Sequence, residues 1–201
     1  MSIITKKGDQ GYTFLFDGTK VLKSDKQPKT YGTIDELSAT LAIARAKLKN
    51  NNKFIFFENK EKLQSSNNYF QILLRDDGKI YLDALIKFIQ ERLVYLMCEL
   101  AVKRENVEKF CKVRISKQDI EFLEILSYKL EEKIGQLKAF IISGSNENEA
   151  YLNYARTIAR RAEREIVDIK EILRKDSNIL PFINRLSDLL FLLSVYCYEN
   201  S

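Results

Sequence analysis

The strongest helical signal in the chain is ENEAYLNYARTIARRAEREIVDIKEILR, which occupies residues 147–174. Small and apolar residues recur along it at alternating spacings of three and four, which places them on one side of a helix: Leu152, Ala155, Ala159, Ala162, Ile166, Ile169 and Leu173. The alanines among them allow a neighbouring helix to approach closely. The segment therefore predicts a long helix that packs tightly against other helices.

Four other segments show the same periodicity of apolar residues. The first follows Thr33 and Glu36, which have capping-box spacing, and the third is bounded by Ser116 and Gly135. The first of the four predicted helices begins near Ile34. The other three run from about Ile80 to Val102, from about Lys117 to Ile134 and from about Pro181 to Tyr198. Together with residues 147–174, they predict an all-α protein, a five-helix up-and-down bundle in a single domain over residues 1–201.

Two segments fall outside the predicted helices. Turn-forming residues interrupt residues 1–32, namely Gly8, Gly11, Gly18, Pro28 and Gly32. They predict a non-helical N-terminal arm. Residues 50–79 are rich in asparagine and in charges of both signs, and their apolar residues have no sustained period. We expect this segment to be an insertion between the first and second helices.

The residue types exclude several functional classes. The chain has no histidine, which excludes Ser-His-Asp and Cys-His hydrolases and zinc sites with histidine ligands. Cys98, Cys111 and Cys197 are odd in number and lie outside any CxxC pattern, so we expect reduced thiols and no disulfide framework. With no apolar leader at the N-terminus, these thiols favour a cytoplasmic protein.

Charge and hydropathy bear on two further classes. The 33 lysines and arginines exceed the 28 acidic residues by only five charges, which is less than a dedicated nucleic-acid binder carries, and we expect no nucleic-acid partner. The most apolar segment, residues 179–198, is interrupted by Arg185 and Asp188. It therefore predicts a buried helix and no membrane span.

The predicted arm groups glycines, hydroxyls and ammonium groups, as a backbone cradle for a polyphosphate requires. The residues concerned are Thr5, Lys6, Lys7, Gly8, Asp9, Gly11 and Thr13, followed by Lys20 and Lys23. The arm lacks the GxxxxGK[ST] pattern of a Walker A loop. Composition leaves two interpretations open, a phosphate-binding arm and a flexible basic tail.

Charged residues recur on one flank of the helix predicted over residues 147–174. Steps of four, three and one separate Arg156, Arg160, Glu163 and Arg164. Such a stripe is typical of solvent-exposed ion pairs, but arginine among small residues is also suited to bidentate phosphate recognition. Both interpretations stay open at this point.

Polar residues also interrupt the last predicted helix, where burial makes unpartnered polar groups unfavourable. They are Asn184, Arg185, Ser187 and Asp188. We expect them to pair with the arginine stripe or a ligand, and a buried network that only fixes helix register is equally compatible with the pattern. On local grounds alone, Asp35 and Glu36 would stabilise the start of the first helix, and Phe140 would belong to the core.

Five motifs stand in a fixed order along the chain: Thr5-x-x-Gly8-Asp9-x-Gly11-x-Thr13, Tyr31-Gly32-Thr33-x-Asp35-Glu36-Leu37, Phe140-Ile141-x-x-Gly144, Ala155-Arg156-Thr157-x-x-Arg160-Arg161-Ala162-Glu163-Arg164 and Ile183-Asn184-Arg185-Leu186-Ser187-Asp188. In type and order they resemble the ATP:corrinoid adenosyltransferases of the propanediol-utilisation type. The resemblance reaches both ends of the chain and omits only residues 50–79 and the third helix.

The resemblance implies a homotrimer of five-helix bundles, with ATP bound between neighbouring subunits and cobalamin beside it. The reaction would transfer the 5′-deoxyadenosyl group of ATP to the cobalt of cob(I)alamin, giving adenosylcobalamin and triphosphate. Mg²⁺ would bind the ATP phosphates without a direct protein ligand. A reductase and an adenosylcobalamin-dependent enzyme are the implied protein partners.

The resemblance also implies roles for individual residues. The implied ATP-binding residues are Thr5, Gly8, Asp9, Gly11, Thr13, Lys23, Arg156, Arg160, Glu163 and Asn184. The implied catalytic residues are Arg160, Asp35 and Phe140. Asp35 would pair with Arg160 across the subunit interface, and Phe140 would press on the lower face of the corrin and exclude the lower axial ligand.

A different function within the same resemblance is a catalytically weak bundle that binds ATP or a corrinoid and delivers it to a partner enzyme. It is suggested by Ser143, Gly144 and Ser145, which stand where the family usually has a proline and paired glycines. Binding without turnover would distinguish this carrier from an enzyme.

Overall fold

The chain is mostly helical in the computed structural model, which describes residues 4, 6, 8–136 and 141–199. Within those ranges lie eight α-helices: α1 Lys26–Asn50, α2 Lys60–Ser66, α3 Asn68–Leu73, α4 Leu82–Leu100, α5 Val107–Phe110, α6 Lys117–Ile134, α7 Glu147–Asp168 and α8 Ile179–Glu199. Four short strands form two antiparallel ribbons: β1 (Tyr12–Phe14) with β2 (Lys20–Leu22), and β3 (Phe54–Phe56) with β4 (Lys79–Tyr81). The predicted helical class is confirmed, but the all-α description is wrong in detail because of these ribbons.

α6 and α8 run in the same direction, because hydrogen bonds join Asn178 to Ile115 and Arg185 to Glu124, whereas three other pairs of neighbouring long helices run in opposite directions. Side-chain hydrogen bonds connect these three pairs: α1 to α7 through Thr33–Glu165 and Lys47–Glu147, α1 to α4 through Gln27–Leu100 and Ser38–Gln90, and α7 to α8 through Glu163–Asn184 and Asn146–Cys197. Within each of the three pairs one residue number rises as that of its partner falls, so the two helices are antiparallel. The helix that carries the arginine stripe, α7, therefore lies between α1 and α8.

The alanine-rich side of α7 belongs to the core. Leu152, Ala155, Ala159, Ala162 and Ile166 are fully buried, and α7 contacts both α1 and α8. Alanine side chains keep the surface of the helix flat there, so that larger side chains of the neighbouring helices pack directly against its backbone. The predicted tight packing of this helix is confirmed.

The structure corrects the start of the first helix. α1 begins at Lys26, so the predicted start near Ile34 is wrong. Pro28 lies in the first turn, where its missing N–H is not needed for a helical hydrogen bond. Thr33 does not cap the helix, because its hydroxyl donates to a carboxylate of α7 that is 2.7 Å away. The non-helical arm is correspondingly shorter than the predicted residues 1–32.

The other long helices agree more closely with prediction. α6 has the predicted bounds, and Ser116 and Asp119 form a capping box at its start. α4 and α8 differ from prediction by at most two residues at each end. α7 ends at Asp168, short of the predicted Arg174, because the chain tightens into a 3₁₀ turn over Lys170–Ile172.

Residues 50–79 form an ordered part of the core. Ile55 of β3 and Phe70 of α3 are fully buried, and the centre of the Phe70 ring lies 4.9 Å from that of Phe122 on α6. No sustained period is visible in the sequence because the elements of this segment are only three to seven residues long.

By length and composition alone, α8 could cross a membrane. In the structure, 61% of the most apolar 18-residue stretch of this helix is buried within the chain. Fully buried leucines and isoleucines of α8 are continuous with the main hydrophobic core. The helix is therefore a core helix, as its interruption by Arg185 and Asp188 predicts.

We predict that Asp119 is a main determinant of stability. Its buried carboxylate accepts hydrogen bonds from the Ser116 N–H and hydroxyl and pairs with Arg92, whose side chain is only 12% exposed. Asp119→Ala leaves that guanidinium with only the exposed Glu91 as a carboxylate partner, so it should lower the free energy of unfolding in urea by about 3 kcal/mol. Glu132→Ala removes an exposed ion pair from the same helix and should change it by less than about 0.5 kcal/mol. Equal effects of the two substitutions would contradict this account.

Candidate functional site

The arginines of α7 differ in how they are held. The Arg156 Nε donates to Asn153 Oδ1 at 2.8 Å, and its guanidinium lies 5.9 Å from the centre of the Phe191 ring on α8. Arg160 is exposed, and its side chain makes no hydrogen bond or ion pair with any residue that the structure describes. Its carbonyl oxygen accepts from Arg164 at 3.0 Å. One arginine is thus fixed by neighbours, and the other is available to a ligand or a second chain.

A hydrogen-bonded network joins the polar residues of α8 to both neighbouring helices. Asn184 Nδ2 donates to Glu163 Oε1 at 2.8 Å. Arg185 donates to Asn184 Oδ1 and, through Nε, to Glu124 Oε1 of α6 at 2.8 Å. The hydrogen bond to Glu124 raises the pKa of Arg185. Because both amide atoms of Asn184 are engaged, its side chain is held in one orientation beside α7.

A cleft of about 560 Å³ opens between α6 and α8 beside this network. Aromatic, apolar and charged residues line it: Tyr128, Glu131, Ile134, Gly135, Arg185, Asp188, Phe191 and Leu192. The cleft adjoins the arginine stripe, because the Phe191 ring that lines it lies 5.9 Å from the Arg156 guanidinium. Its volume falls in the range of small-molecule sites. Phe140, the residue predicted to face the corrin, lies outside the described residues.

The N-terminal arm is the β1–β2 hairpin preceded by a glycine-containing loop. The Gly11 N–H donates to the Gly8 carbonyl at 3.3 Å, and the Lys23 N–H donates to the Gly11 carbonyl at 2.9 Å. Gly11 has a φ of +81°, a conformation that favours glycine. A Cβ atom at Gly8 would lie 2.8 Å from Lys23 Nζ. Glycine at this position therefore lets the ammonium group lie against the loop.

Thr13 connects the hairpin to α1. Its side chain forms a hydrogen bond with that of Tyr31, whose pKa is raised by burial against the opposing effect of this hydrogen bond. Asp9 is exposed in the loop, where its N–H donates to the Lys6 carbonyl at 3.3 Å. Thr5 lies outside the described residues, so its role stays a prediction.

The two carboxylates of the second motif have different surroundings. Glu36 forms an ion pair with Arg161 of α7, and this hydrogen bond raises the pKa of Arg161. Asp35 is exposed, and within the described ranges it has no hydrogen bond or ion pair. It forms no ion pair with the described Arg160 of the same chain. Neither carboxylate stabilises a helix start, because α1 begins at Lys26.

The predicted site residues that the structure describes therefore form two groups, with Asp35 apart from both. The arm group consists of Gly8, Asp9, Gly11, Thr13 and Lys23. The bundle group consists of Arg156, Arg160, Glu163 and Asn184. Among the residues described, no hydrogen bond or ion pair joins one group to the other. Each group offers cations or backbone N–H groups suited to phosphate oxygens.

Sequence analysis did not single out three residues that hold the bundle group in place. Asn153 precedes Arg156 by three positions, a spacing that places both on one helix face, so this contact was accessible to sequence reasoning. Glu124 lies 61 positions from Arg185, and Phe191 lies on a different helix from Arg156. Only folding brings those pairs together, and no local pattern signals them.

Comparison with known proteins identifies relatives over almost the whole chain. The PduO corrinoid adenosyltransferase of Citrobacter freundii is 31% identical over 194 residues, which cover 96% of this chain and 49% of that protein. A second corrinoid adenosyltransferase of Citrobacter freundii is 32% identical over 189 residues, which cover 94% of this chain and 90% of that protein. The chain thus spans about half the length of the first relative and most of the second.

Solved structures show the same architecture. A variant of the PduO-type ATP:corrinoid adenosyltransferase from Lactobacillus reuteri, complexed with cobalamin and ATP, is 25% identical to the chain with a TM-score of 0.75. The similarity covers 98% of this chain and 91% of that one. The family model described as cobalamin adenosyltransferase matches residues 3–197. With a match of that extent, the chain belongs to the cobalamin adenosyltransferase family.

Proposed function

We propose that the protein transfers the 5′-deoxyadenosyl group of ATP to the cobalt of cob(I)alamin, giving adenosylcobalamin and triphosphate. The observation that carries this proposal is the exposed Arg160, which has no side-chain partner in the part of the chain that the structure describes. It lies one helical turn from Arg156 and beside the fixed Glu163–Asn184 pair. The Lactobacillus reuteri relative complexed with cobalamin and ATP supports the same assignment.

The chemistry of this transfer matches the residue types of the site. The electron pair of the reduced cobalt forms the bond to C5′, while the bond from C5′ to the triphosphate oxygen breaks and its electrons leave with the triphosphate. No proton has to be removed, so the absence of histidine is no obstacle. The protein has to align the two reactants and stabilise the negative charge that develops on the leaving oxygens. Arg156, Arg160 and Lys23 are the cations assigned to that charge.

We assign the complete site to the interface between neighbouring subunits of a homotrimer. The arm group of one subunit would lie against the bundle group of the next, and Asp35 would pair with Arg160 across the interface. Both residues are exposed and lack side-chain partners within the described ranges. Each subunit would be a single domain over residues 1–201, with the five long helices as the bundle of the family.

We propose that the corrinoid binds in the cleft between α6 and α8. It adjoins Arg156 through Phe191, so a ligand there would lie next to the nucleotide. Phe140 would cover the lower face of the corrin, and Thr5 would extend the arm group. Mg²⁺ is assigned to the ATP phosphates, as the resemblance implies. We also propose that the protein is cytoplasmic and that its protein partners are a reductase and an adenosylcobalamin-dependent enzyme.

One observation favours the carrier function as a second candidate. The segment that differs from the usual family pattern is held against the start of α7, because Glu149 accepts hydrogen bonds from the Ser143 hydroxyl at 2.7 Å and the Gly144 N–H at 2.6 Å. A loop fixed in this way could bind a corrinoid without orienting it for transfer.

We predict a light-sensitive product when the protein is mixed anaerobically with ATP, Mg²⁺ and chemically reduced cobalamin. Adenosylcobalamin has its own absorption spectrum, and light cleaves its bond between cobalt and carbon. Absorbance before and after illumination therefore reports the transfer. Omission of ATP is the control. ATP binding without such a product would reject the transferase and favour the carrier.

We also predict that Arg160→Ala impairs transfer much more than folding. Loss of one charge-assisted contact to the leaving group should lower kcat by about a hundredfold or more, whereas removal of an exposed side chain should change the free energy of unfolding by less than about 0.5 kcal/mol. Lys62→Ala is the control, since Lys62 of α2 is also an exposed cation without a side-chain partner among the described residues. Turnover of Arg160→Ala equal to that of the control would remove Arg160 from the site.

A further inference from the structure

Asp17 lies outside all five motifs and occupies the turn of the arm hairpin. Its Oδ1 accepts from the Thr19 N–H at 3.0 Å within the turn, where Gly18 has a φ of +85°. Its Oδ2 accepts from the Lys103 N–H and from Asn106 Nδ2, each at 2.8 Å. A single carboxylate therefore closes the hairpin turn and attaches it to the segment between α4 and α5.

The residue before Asp17 contacts the same part of the chain. The Phe16 N–H donates to the Ala101 carbonyl at 2.7 Å, and its ring meets that of Phe110 edge-on at 5.8 Å. Leu15 is buried. The hairpin turn is thus docked on residues 101–110, which we call the platform.

The charge of Asp17 strengthens this attachment. Burial raises the pKa of its carboxyl group, but the hydrogen bonds from Lys103, Asn106 and Thr19 outweigh burial and hold the pKa well below its usual range. The carboxylate is therefore ionised at neutral pH. Hydrogen bonds to an ionised acceptor are shorter and stronger than those between neutral groups.

The paired strands of the hairpin connect the docked turn at one end to the glycine-containing loop at the other. Three residues of β1 pair with three of β2 in antiparallel register, from Phe14–Lys20 at the turn to Tyr12–Leu22 at the loop. The Lys23 N–H then donates to the Gly11 carbonyl. Within the described residues, positions 8–11 make no hydrogen bond to any of the helices. The place of this loop therefore depends on where the hairpin is docked.

We propose that Asp17 is a positioning residue for ATP, which fixes the hairpin on the platform so that Gly8, Gly11 and Lys23 meet the triphosphate. This inference rests on the proposed function, because it takes the arm group as part of the nucleotide site. Asp17 itself does not touch the nucleotide. Its removal should weaken ATP binding through loss of a preformed arm, whose ordering then has to accompany binding.

The experiment compares Asp17→Ala with wild type and with Asp76→Ala. Asp76 is a matched control, because it is an aspartate in an exposed ion pair with Lys60, remote from the hairpin in the fold. Calorimetric titration should give a dissociation constant for ATP that is about tenfold higher in Asp17→Ala, a loss that corresponds to about one hydrogen bond to a charged group. Asp17→Asn keeps an oxygen acceptor for one of the donors and should show a smaller increase.

Two further readouts separate positioning from general loss of structure. At saturating ATP, kcat and the KM for cobalamin of Asp17→Ala should stay within about twofold of wild type, since binding of one substrate alone is weakened. In the ligand-free protein, hydrogen exchange at the Lys23 amide should be faster in Asp17→Ala, while amides of α6 and α8 exchange at the wild-type rate.

Unchanged exchange at Lys23 in Asp17→Ala would overturn the proposal, and so would faster exchange with an unchanged ATP dissociation constant. Faster exchange at α6 and α8 as well would also overturn it, because Asp17 would then support the whole fold. Failure of the proposed function is distinguishable. ATP binding to wild type without adenosyl transfer would reject the transferase, yet the calorimetric and exchange comparisons would still decide the role of Asp17.

Discussion

The packing of α7 against α1 is the constraint on which the rest of the structure depends. Alanines at the contact let the two helices approach closely, and the Thr33–Glu165 and Lys47–Glu147 contacts fix their antiparallel register. That register places Glu36 opposite Arg161. Asp35 and Arg160, the neighbours of this pair, are left exposed and without partners in the part of the chain that the structure describes. The two side chains that have no partner within the described part of one chain are thus the ones that we assign to the subunit interface.

The bundle group of the candidate site is held rigidly by its neighbours, whereas the arm group is held in place through the β1–β2 hairpin. On the bundle side, Asn184 is held between Glu163 and Arg185, and Arg156 is held by Asn153, so few rotamers remain to be fixed when a ligand binds. On the arm side, the described loop residues 8–11 make no hydrogen bond to a helix, and the hairpin that follows them is docked on the platform. This division suits a reaction in which the protein aligns a nucleotide with a large cofactor and supplies no acid or base.

The helical class and most long helices could be predicted from periodicity, because helices of 18 residues or more repeat the pattern many times. The start of α1 could not, since Thr33 and Glu36 imitate a capping box and Pro28 suggests a break, whereas tertiary contacts extend the helix. The ribbons are too short for periodicity to detect. Asp17-Gly18 between apolar residues is nevertheless a hairpin signal that could have predicted β1 and β2.

The motifs predicted that α7 and α8 carry interacting polar residues, but not which other residues surround them. Arg156, Glu163 and Asn184 lie together as their helical spacing and the resemblance suggest, whereas Glu124 enters the network from a helix that has no distinctive motif. The proposed pairing of Asp35 with Arg160 would depend on a second chain, and neither the periodicity nor the fold of one chain determines it.

The most direct test of a site shared between subunits is complementation between two inactive variants. Asp35→Ala and Arg160→Ala are purified separately, mixed under conditions that exchange subunits, and assayed for adenosyl transfer. If Asp35 of one subunit meets Arg160 of the next, random mixing restores about a quarter of the interfaces to wild type, with activity to match. Activity of the mixture equal to the average of the two variants alone would contradict the account.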